Sequence, residues 1–495
     1  MTITESGVDP TPPNSPALDT DSADKPPSGS ARKSGNAFQA LMLRLHFYAG
    51  IFVAPFILIA AVTGALYAIS PTLENFTDRA LLHTDSTGPV QPLSTQIDAA
   101  VATLPNLPLV AVSPAQNTGD TTRVIFSDPT LGESERRAVF VDPVTAQPLG
   151  DSVVYGSSGA LPTRTWIDKL HKDLHLGTPG RLYSELAASW MWVIALAGLV
   201  LWIRRVRSRR ANNGAAWLLR PDRSRPRART LNWHAAVGVW ILPVLLLLSA
   251  TGMTWSKYAG ENVSALREEM SWVTPAVNAK LPGAAAPAMP ATGEHAEHGM
   301  PNPTATSPTA QRISQIDLVY GVIRANGLES AVEISVPAKD GMAFTAKERR
   351  MSGVYTVDSI AVEGGTGQVT DVLRYADWPL MAKLSNWGIQ LHMGLMFGLL
   401  NQLLLLACMV GLITVIVRGY LMWWRRRPTK GGNGFAAGKA PRRGVLRATP
   451  VWLLASFALA AVAVGWFAPL IGLSVLGFLA VDVIVGLLTR RKSAA

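Results

Sequence analysis

The chain has 495 residues, 48% of them apolar and only 16% charged, with a mean hydropathy of +0.21; that balance is too apolar for an ordinary soluble domain. The formal charge of +11 is spread unevenly along it. The single cysteine, Cys408, excludes intramolecular disulfides, Cys-ligated iron–sulfur clusters and Cys-rich zinc sites, so any metal or redox centre must rest on His, Asp, Glu or Met.

Residues 1–40 are dominated by Pro, Ser, Asp and Thr and read as a disordered cytoplasmic tail. No signal-peptide pattern opens the chain, because the first apolar run comes late and is too long for an h-region. A membrane span needs about 20 mostly apolar residues. On that criterion spans are expected at 44–70, 185–203, 233–256 and 396–424. The apolar stretch 450–488 is long enough for a hairpin of two more, turning near Gly465-Trp466-Phe467-Ala468-Pro469. About six spans result.

Arginine and lysine mark one side. Arg204, Arg205, Arg207, Arg209, Arg210, Arg220, Arg223, Arg225, Arg227 and Arg229 fall in 204–232, and a second cluster from Arg425 to Arg447 fills 425–449. Arg490, Arg491 and Lys492 sit in the tail 489–495. The positive-inside rule puts these segments and both termini in the cytoplasm of a plasma-membrane protein, and Trp residues near the span ends suit an aromatic belt. The long segments 71–184 and 257–395 then lie outside. Alternating runs at 123–126, 138–141, 331–336 and 353–357 read as strands, and Asp142-Pro143-Val144-Thr145 and Gly364-Gly365-Thr366-Gly367 as turns. Each outer segment is expected to be a small α+β domain, the second with a flexible Ala/Pro/Thr-rich insertion at 275–310. The fold class is a multi-pass α-helical membrane bundle carrying two such domains. The partner implied is the lipid bilayer, and no nucleic acid.

An internal repeat underlies this layout. His46, Gly50, Pro55, Thr63 and Gly64 recur as His234, Gly238, Pro243, Thr251 and Gly252, all at one constant offset and without a gap. Leu174-His175-Leu176-Gly177 resembles Leu391-His392-Met393-Gly394. Both copies enter from the cytoplasm, so the duplication is parallel, about an axis along the membrane normal. Gly50, Gly64, Gly238 and Gly252 read as packing glycines.

Histidine is the residue this repeat places most tellingly. A pseudo-twofold axis would pair His46 with His234 near the cytoplasmic face and His175 with His392 near the outer face. Two imidazoles facing each other across a bundle can be the axial ligands of a b-type haem. Gly177, Gly394 and Gly398 could make room for the porphyrin. The plainer alternative is interfacial histidines that cap helices or meet headgroups. A span of about 30 Å between the layers is long for one electron hop, unless the outer pair dips inward or another carrier helps. His171, four residues before His175, shares its helical face, but it falls opposite Gly388 in the alignment of the two copies, which sets it outside the symmetric pairs; it could be a further ligand, a proton donor or surface. His295 and His298, with Glu294 and Glu297, could bind a metal weakly inside the insertion, although low-complexity drift explains them as well. Asp482 in the last apolar run could mark function or pair with a neighbouring helix. No phosphate-binding loop, dinucleotide fingerprint, zinc-protease motif or nucleophile elbow is present.

These features resemble the PepSY-associated transmembrane family, also known as iron-regulated membrane proteins. The likeness rests on Leu45-His46 with Gly50, Leu170-His171 through Gly177, Trp233-His234 with Gly238, and Leu391-His392-Met393-Gly394 with Gly398. The turn Val141-Asp142-Pro143-Val144-Thr145-Ala146-Gln147-Pro148 and its counterpart Thr366-Gly367-Gln368-Val369 resemble the end of a PepSY domain, with Ala146 in place of the usual glycine. The resemblance implies iron or siderophore-iron handling: a transmembrane reductase that passes electrons from a separate donor to an outer ferric or ferric-siderophore substrate. Its rival implication is a non-enzymatic protein whose PepSY domains bind a peptide, protease or siderophore partner.

Overall fold

The computed structural model describes residues 29–210, 226–282, 310–426 and 449–494. Helix α1 (Gly29–Phe52) begins inside the segment read as a tail, because Ala37 and Met42 find buried positions. It runs into α2 (Ala54–Thr77) with one interruption at Val53, where Pro55 enters the first turn of α2 and has no N–H to continue the ladder. Helices α6 (Thr178–Arg210) and α7 (Pro226–Thr254) follow in the chain, and α11 (Leu399–Trp424) later. Among the described residues four helices are long and apolar enough to cross a membrane: Ala54–Thr77, Thr178–Arg207, Ala228–Thr254 and Leu399–Trp424.

These four close a ring in which α2 packs on α6, α6 on α7, α7 on α11 and α11 on α2. Small residues such as Ala49, Ala61, Ala68 and Ala187 line the seam with Leu245, Leu248, Leu405 and Leu412. Small side chains let backbones approach where lipid gives no hydrophobic drive to associate. At one end of the ring, Arg205 donates to Asn232 at 2.5 Å and Arg425 to Thr230 at 3.1 Å; this is the basic face.

The last two helices, α12 (Val451–Phe467) and α13 (Pro469–Ala494), form the expected hairpin. At 17 residues α12 extends about 26 Å, short of a hydrocarbon core of about 30 Å. The hairpin therefore adds two apolar helices to four full-length ones. It leans on α6 and α8 (Tyr258–Glu269) through Trp190–Ser474 (2.8 Å) and Asn262–Phe467 carbonyl (2.9 Å) bonds. Asp482 pairs with Arg44 at 3.5 Å, so its carboxylate is matched by a neighbouring helix.

Opposite the basic face stands a β-sheet. After the single turn α3 (Arg79–Leu82) and helix α4 (Leu93–Thr103) come β1 (Leu109–Ser113), β2 (Thr122–Phe126), β3 (Glu135–Val141) and β4 (Pro148–Tyr155). Helix α5 (Pro162–Asp173) then leads to α6. In the second half α9 (Ala310–Ala325) precedes β5 (Val332–Ser335), β6 (Phe344–Glu348), β7 (Ser359–Val362) and β8 (Val369–Leu373), and α10 (Leu380–His392) leads to α11. The two outer segments do not make two separate domains. They share one antiparallel sheet of order β4-β3-β2-β1-β5-β6-β7-β8, joined where Ala111 pairs with Ser335 and Val112 with Ile334. Either half alone would expose β1 or β5 as an open edge, and pairing them removes both.

Side chains alternate across the strands. Val124, Phe126, Val139 and Val141 join Phe344, Ile360 and Val362 under α4 and α9, whereas Ile125, Ala138 and Phe140 point to the opposite face. Each wholly buried side chain of this kind contributes about 1.5–3 kcal/mol. The expected strand at 353–357 is absent: Gly353 has φ of +84° and Val357 is buried in a side cluster with Tyr375, Trp378 and Ala382. Of the insertion 275–310, the residues after 282 and before 310 lie outside the described residues, and so do residues 1–28 of the tail and most of both basic loops.

Candidate functional site

His46 and His234 meet near the basic face with ring centres 6.1 Å apart. The Nδ1 of His46 donates to the Ile194 carbonyl and that of His234 to the Val415 carbonyl, both at 2.9 Å. A carbonyl can only accept, so each Nδ1 carries the proton and each Nε2, in the neutral ring, keeps its lone pair. Beside the rings stand two glycines. A Cβ on Gly198 would come within 3.0 Å of the His46 Cε1, and one on Gly419 within 3.6 Å of that of His234. Glycine is what lets imidazole reach the backbone of a packed helix.

At the sheet end the pairing differs from the expected one. His392 faces His171, with ring centres 6.4 Å apart, and not His175. Helix α5 ends as Leu174 and His175 take up left-handed φ of 55° and 56°. That turn carries His175 off the helical face, and it lies exposed against the Trp166 ring at 5.1 Å.

His171 is held by elements that the sequence pattern did not flag. Glu74 at the end of α2 is 6% exposed; its carboxylate accepts the Leu161 amide at 2.7 Å and pairs with Arg164 at 3.7 Å, which ties the start of α5 to α2. Asn401 of α11 donates to the Leu391 carbonyl at 3.0 Å, which steadies the end of α10. The imidazoles then meet two threonines. Thr63 donates its hydroxyl to the Ile59 and Ala60 carbonyls and Thr251 to those of Leu247 and Leu248. With its proton spent, each oxygen accepts from a histidine: His171 Nδ1 at 3.0 Å and His392 Nδ1 at 2.6 Å. Again Nε2 is left with its lone pair. Burial pushes the His171 pKa down to about 4 and, with His171 nearby, that of His392 to about 3, so both rings are neutral at pH 7. Gly64 and Gly252 take the place of Gly198 and Gly419: a Cβ there would lie 3.1 Å from His171 Cε1 and 3.9 Å from His392 Cε1.

The glycines expected to make room, Gly177, Gly394 and Gly398, do not adjoin the imidazoles. Those read as packing residues split into two kinds. Gly64 and Gly252 touch histidine, while a Cβ on Gly50 or Gly238 would meet open space. A cavity of about 190 Å³ with a mostly apolar wall opens at the sheet-side pair. Tyr67 stacks on His171 at 6.1 Å and Trp255 stands edge-on to His392 at 5.2 Å.

One regularity organises these contacts. His171, Ile194, Gly198 and Trp202 recur as His392, Val415, Gly419 and Trp423, each at the same offset. The turn residues Val141, Thr145 and Gln147 recur as Val362, Thr366 and Gln368 at that offset too. His175 with His392 is four residues out of this register. Tyr67 and Trp255 follow the other offset, the one that relates His46 to His234.

Two metal–imidazole bonds of about 2 Å, plus the distance from each nitrogen to its ring centre, come to about 6 Å. Both ring separations match that figure, and each ring offers an unprotonated Nε2. The ring separations and free Nε2 atoms therefore meet the distance requirement of bis-histidine ligation of a haem at each layer, and the sheet-side pair also lines a cavity. Among the described residues no group of three or more His, Cys, Asp or Glu gathers as a metal site of another kind. His295 and His298 lie outside the described residues.

The family model of the PepSY-associated TM region matches residues 43–426. An uncharacterised protein of Pseudomonas aeruginosa is 36% identical over 92 residues, which cover 19% of this chain and 21% of that protein. The chain thus aligns with about a fifth of that relative's length.

Proposed function

The chain belongs to the family of PepSY-associated TM regions, and from that membership we propose that it conducts electrons across the plasma membrane to a ferric or ferric-siderophore complex outside. The basic face is cytoplasmic in this reading and the sheet extracytoplasmic. The two halves are same-orientation copies, and α12 and α13 are an appended hairpin that completes six spans. His46 and His234 hold one b-type haem, and His171 and His392 another. Haem supplies reversible one-electron chemistry when bound there.

The observation that carries this reading is the pairing itself: two buried histidine couples, 6.1 and 6.4 Å between ring centres, one at each end of the same bundle. His171 and His392 hang from Thr63 and Thr251. The helical rise from His46 to Thr63, and likewise from His234 to Thr251, comes to about 25 Å, so the outer couple dips below the full hydrocarbon thickness.

The chain's own contribution is positional. Backbone carbonyls and threonine hydroxyls accept a hydrogen bond from each Nδ1–H, which leaves the lone pair on Nε2 and raises ligand basicity. The external ferric ion gains one electron and becomes ferrous, and the electron comes from a separate cytoplasmic or quinol donor.

An optical spectrum of the purified chain, expressed with ample haem, tests the proposal. A dithionite-reducible b-type band is expected. Its absence, or cellular ferric reduction unchanged by His46→Ala and His392→Ala, would instead favour a protein whose sheet binds a peptide, protease or siderophore partner.

A further inference from the structure

The sheet-side imidazoles are equivalently placed, so they do not determine which way round a flat ligand sits between them. The wall of the cavity does differ between the halves. It carries Arg181 and Lys172, both from the first half. In the register that matches His171 to His392, their counterparts are Gln402 and Met393, which bear no charge.

Arg181 is poorly satisfied where it stands. Its Nε is buried without a hydrogen-bond partner, and its Nη2 reaches the Trp255 carbonyl only at 3.5 Å, the outer limit of a hydrogen bond. A guanidinium in an apolar wall is costly unless something pairs with its fork of N–H groups. A carboxylate matches that fork in geometry and charge. Two protein carboxylates, Asp168 and Glu185, share the wall, and among the described residues neither is hydrogen-bonded to Arg181, whose bond goes to the Trp255 carbonyl. Glu185 accepts the Tyr258 and Ala259 amides at 3.0 Å each, at the start of α8. Burial raises the pKa of Asp168, which lies on α5 with Lys172 and Arg164, whose charges act against that rise. Lys172 for its part donates to the Tyr155 hydroxyl at 3.2 Å.

We infer that Arg181, assisted by Lys172, is the carboxylate-docking end of this cavity, where it takes the propionate groups of the sheet-side haem and sets the single orientation of that ligand. The inference rests on the haem reading above and adds to it the residues that break the symmetry of the paired histidines. Among the described residues no other arginine or lysine lines the cavity, so the propionate edge points to the junction of α5 and α6.

The test compares haem with its dimethyl ester, which keeps the ring and the iron but removes both charges. The full-length chain, purified without haem and carrying His46→Ala so that the sheet-side pair alone ligates, is titrated with each and read by the bis-histidine absorption band. The expected result is that the free acid binds more tightly than the ester. Arg181→Ala weakens the acid by about ten- to a hundredfold, the effect of one buried charge-assisted pair, and leaves the ester within about twofold. Arg181→Lys restores part of the loss, because the charge returns without the fork. Equal affinity of acid and ester for the chain with Arg181 intact overturns the inference with no variant needed. So does an Arg181→Ala loss that is the same for both ligands, which would mark a role in folding only. A chain that gives no bis-histidine band with either ligand removes the cofactor reading itself, and this inference with it.

Discussion

The two histidine pairs share a spacing but not an anchor. At the basic face His46 and His234 come from the spans themselves and donate to backbone carbonyls of α6 and α11. At the sheet face His171 and His392 come from the ends of short helices outside the spans and donate to the hydroxyls of Thr63 and Thr251. The first arrangement is built into helix packing and has no side chain that can be removed. The second depends on two hydroxyls, on a cavity with charged residues in its wall, and on loops that connect to the sheet.

Breaking each layer separately gives the largest effect. His46→Ala and His392→Ala should each lower bound haem from about two to about one per chain, read by haem-to-protein ratio. If either single change removed both, the layers would not be independent.

Steric series come next. Replacing glycine by alanine should hurt most at Gly198 and Gly64, where the new Cβ lies 3.0 and 3.1 Å from a ring, less at Gly419 (3.6 Å), and least at Gly252 (3.9 Å). Overpacking of this kind costs about 1–3 kcal/mol, measurable as a lowered melting temperature together with haem loss from the matching layer. An equal effect at all four positions would show that the approach of ring to backbone is looser than the distances indicate.

Thr251→Val keeps the shape and removes the acceptor of the His392 proton. Loss of such a support lowers ligand affinity by about 10–100-fold, seen as weaker haem binding at the sheet-side layer only. The basic-face layer offers no equivalent substitution, which is the sharpest form of the contrast.

The sheet beside the His171–His392 layer should show an acid effect of its own. Burial raises the Asp142 carboxyl pKa, but hydrogen bonds from Ser86, Thr84 and the Val144 and Thr145 amides outweigh it and hold the pKa down to about 2. A folded value below the unfolded one means the contribution is complete above about pH 4 and is lost as pH falls toward 2, amounting to about 2 kcal/mol. Asp142→Asn should remove that acid-dependent part from a pH series of melting temperatures. Last, His175→Ala should change neither layer, since His175 is exposed beside Trp166; a halved haem content would restore it as a ligand.

Much of this is legible in the sequence. One constant offset relates His46 to His234 and Thr63 to Thr251, and the apolar runs overlap all four full-length helices, although the first, expected at 44–70, runs as Ala54–Thr77 after the break at Val53. The ligand at His171 was not legible in the same way. The local likeness of Leu174-His175-Leu176-Gly177 to Leu391-His392-Met393-Gly394 pointed four residues downstream, since a short identity carries no information on where a helix ends. The second offset, which carries Thr145, Gly198 and Trp202 onto Thr366, Gly419 and Trp423, would have selected His171. That register becomes decisive only when the positive φ at Leu174 and His175 shows the helix stopping between the two candidates.

The sequence alone determined what is periodic or compositional: a membrane bundle, its basic face, and the histidines as the residues with chemistry to offer. Hydropathy and residue spacing act locally along the chain, so they can be read from it. Tertiary structure decided what depends on contacts between distant segments. It merged two outer segments into one sheet through β1 and β5, set His171 opposite His392, and placed Arg181 without a full partner in one wall of the cavity. These are outcomes of which edges and faces must be buried together, and no local pattern in the chain encodes them.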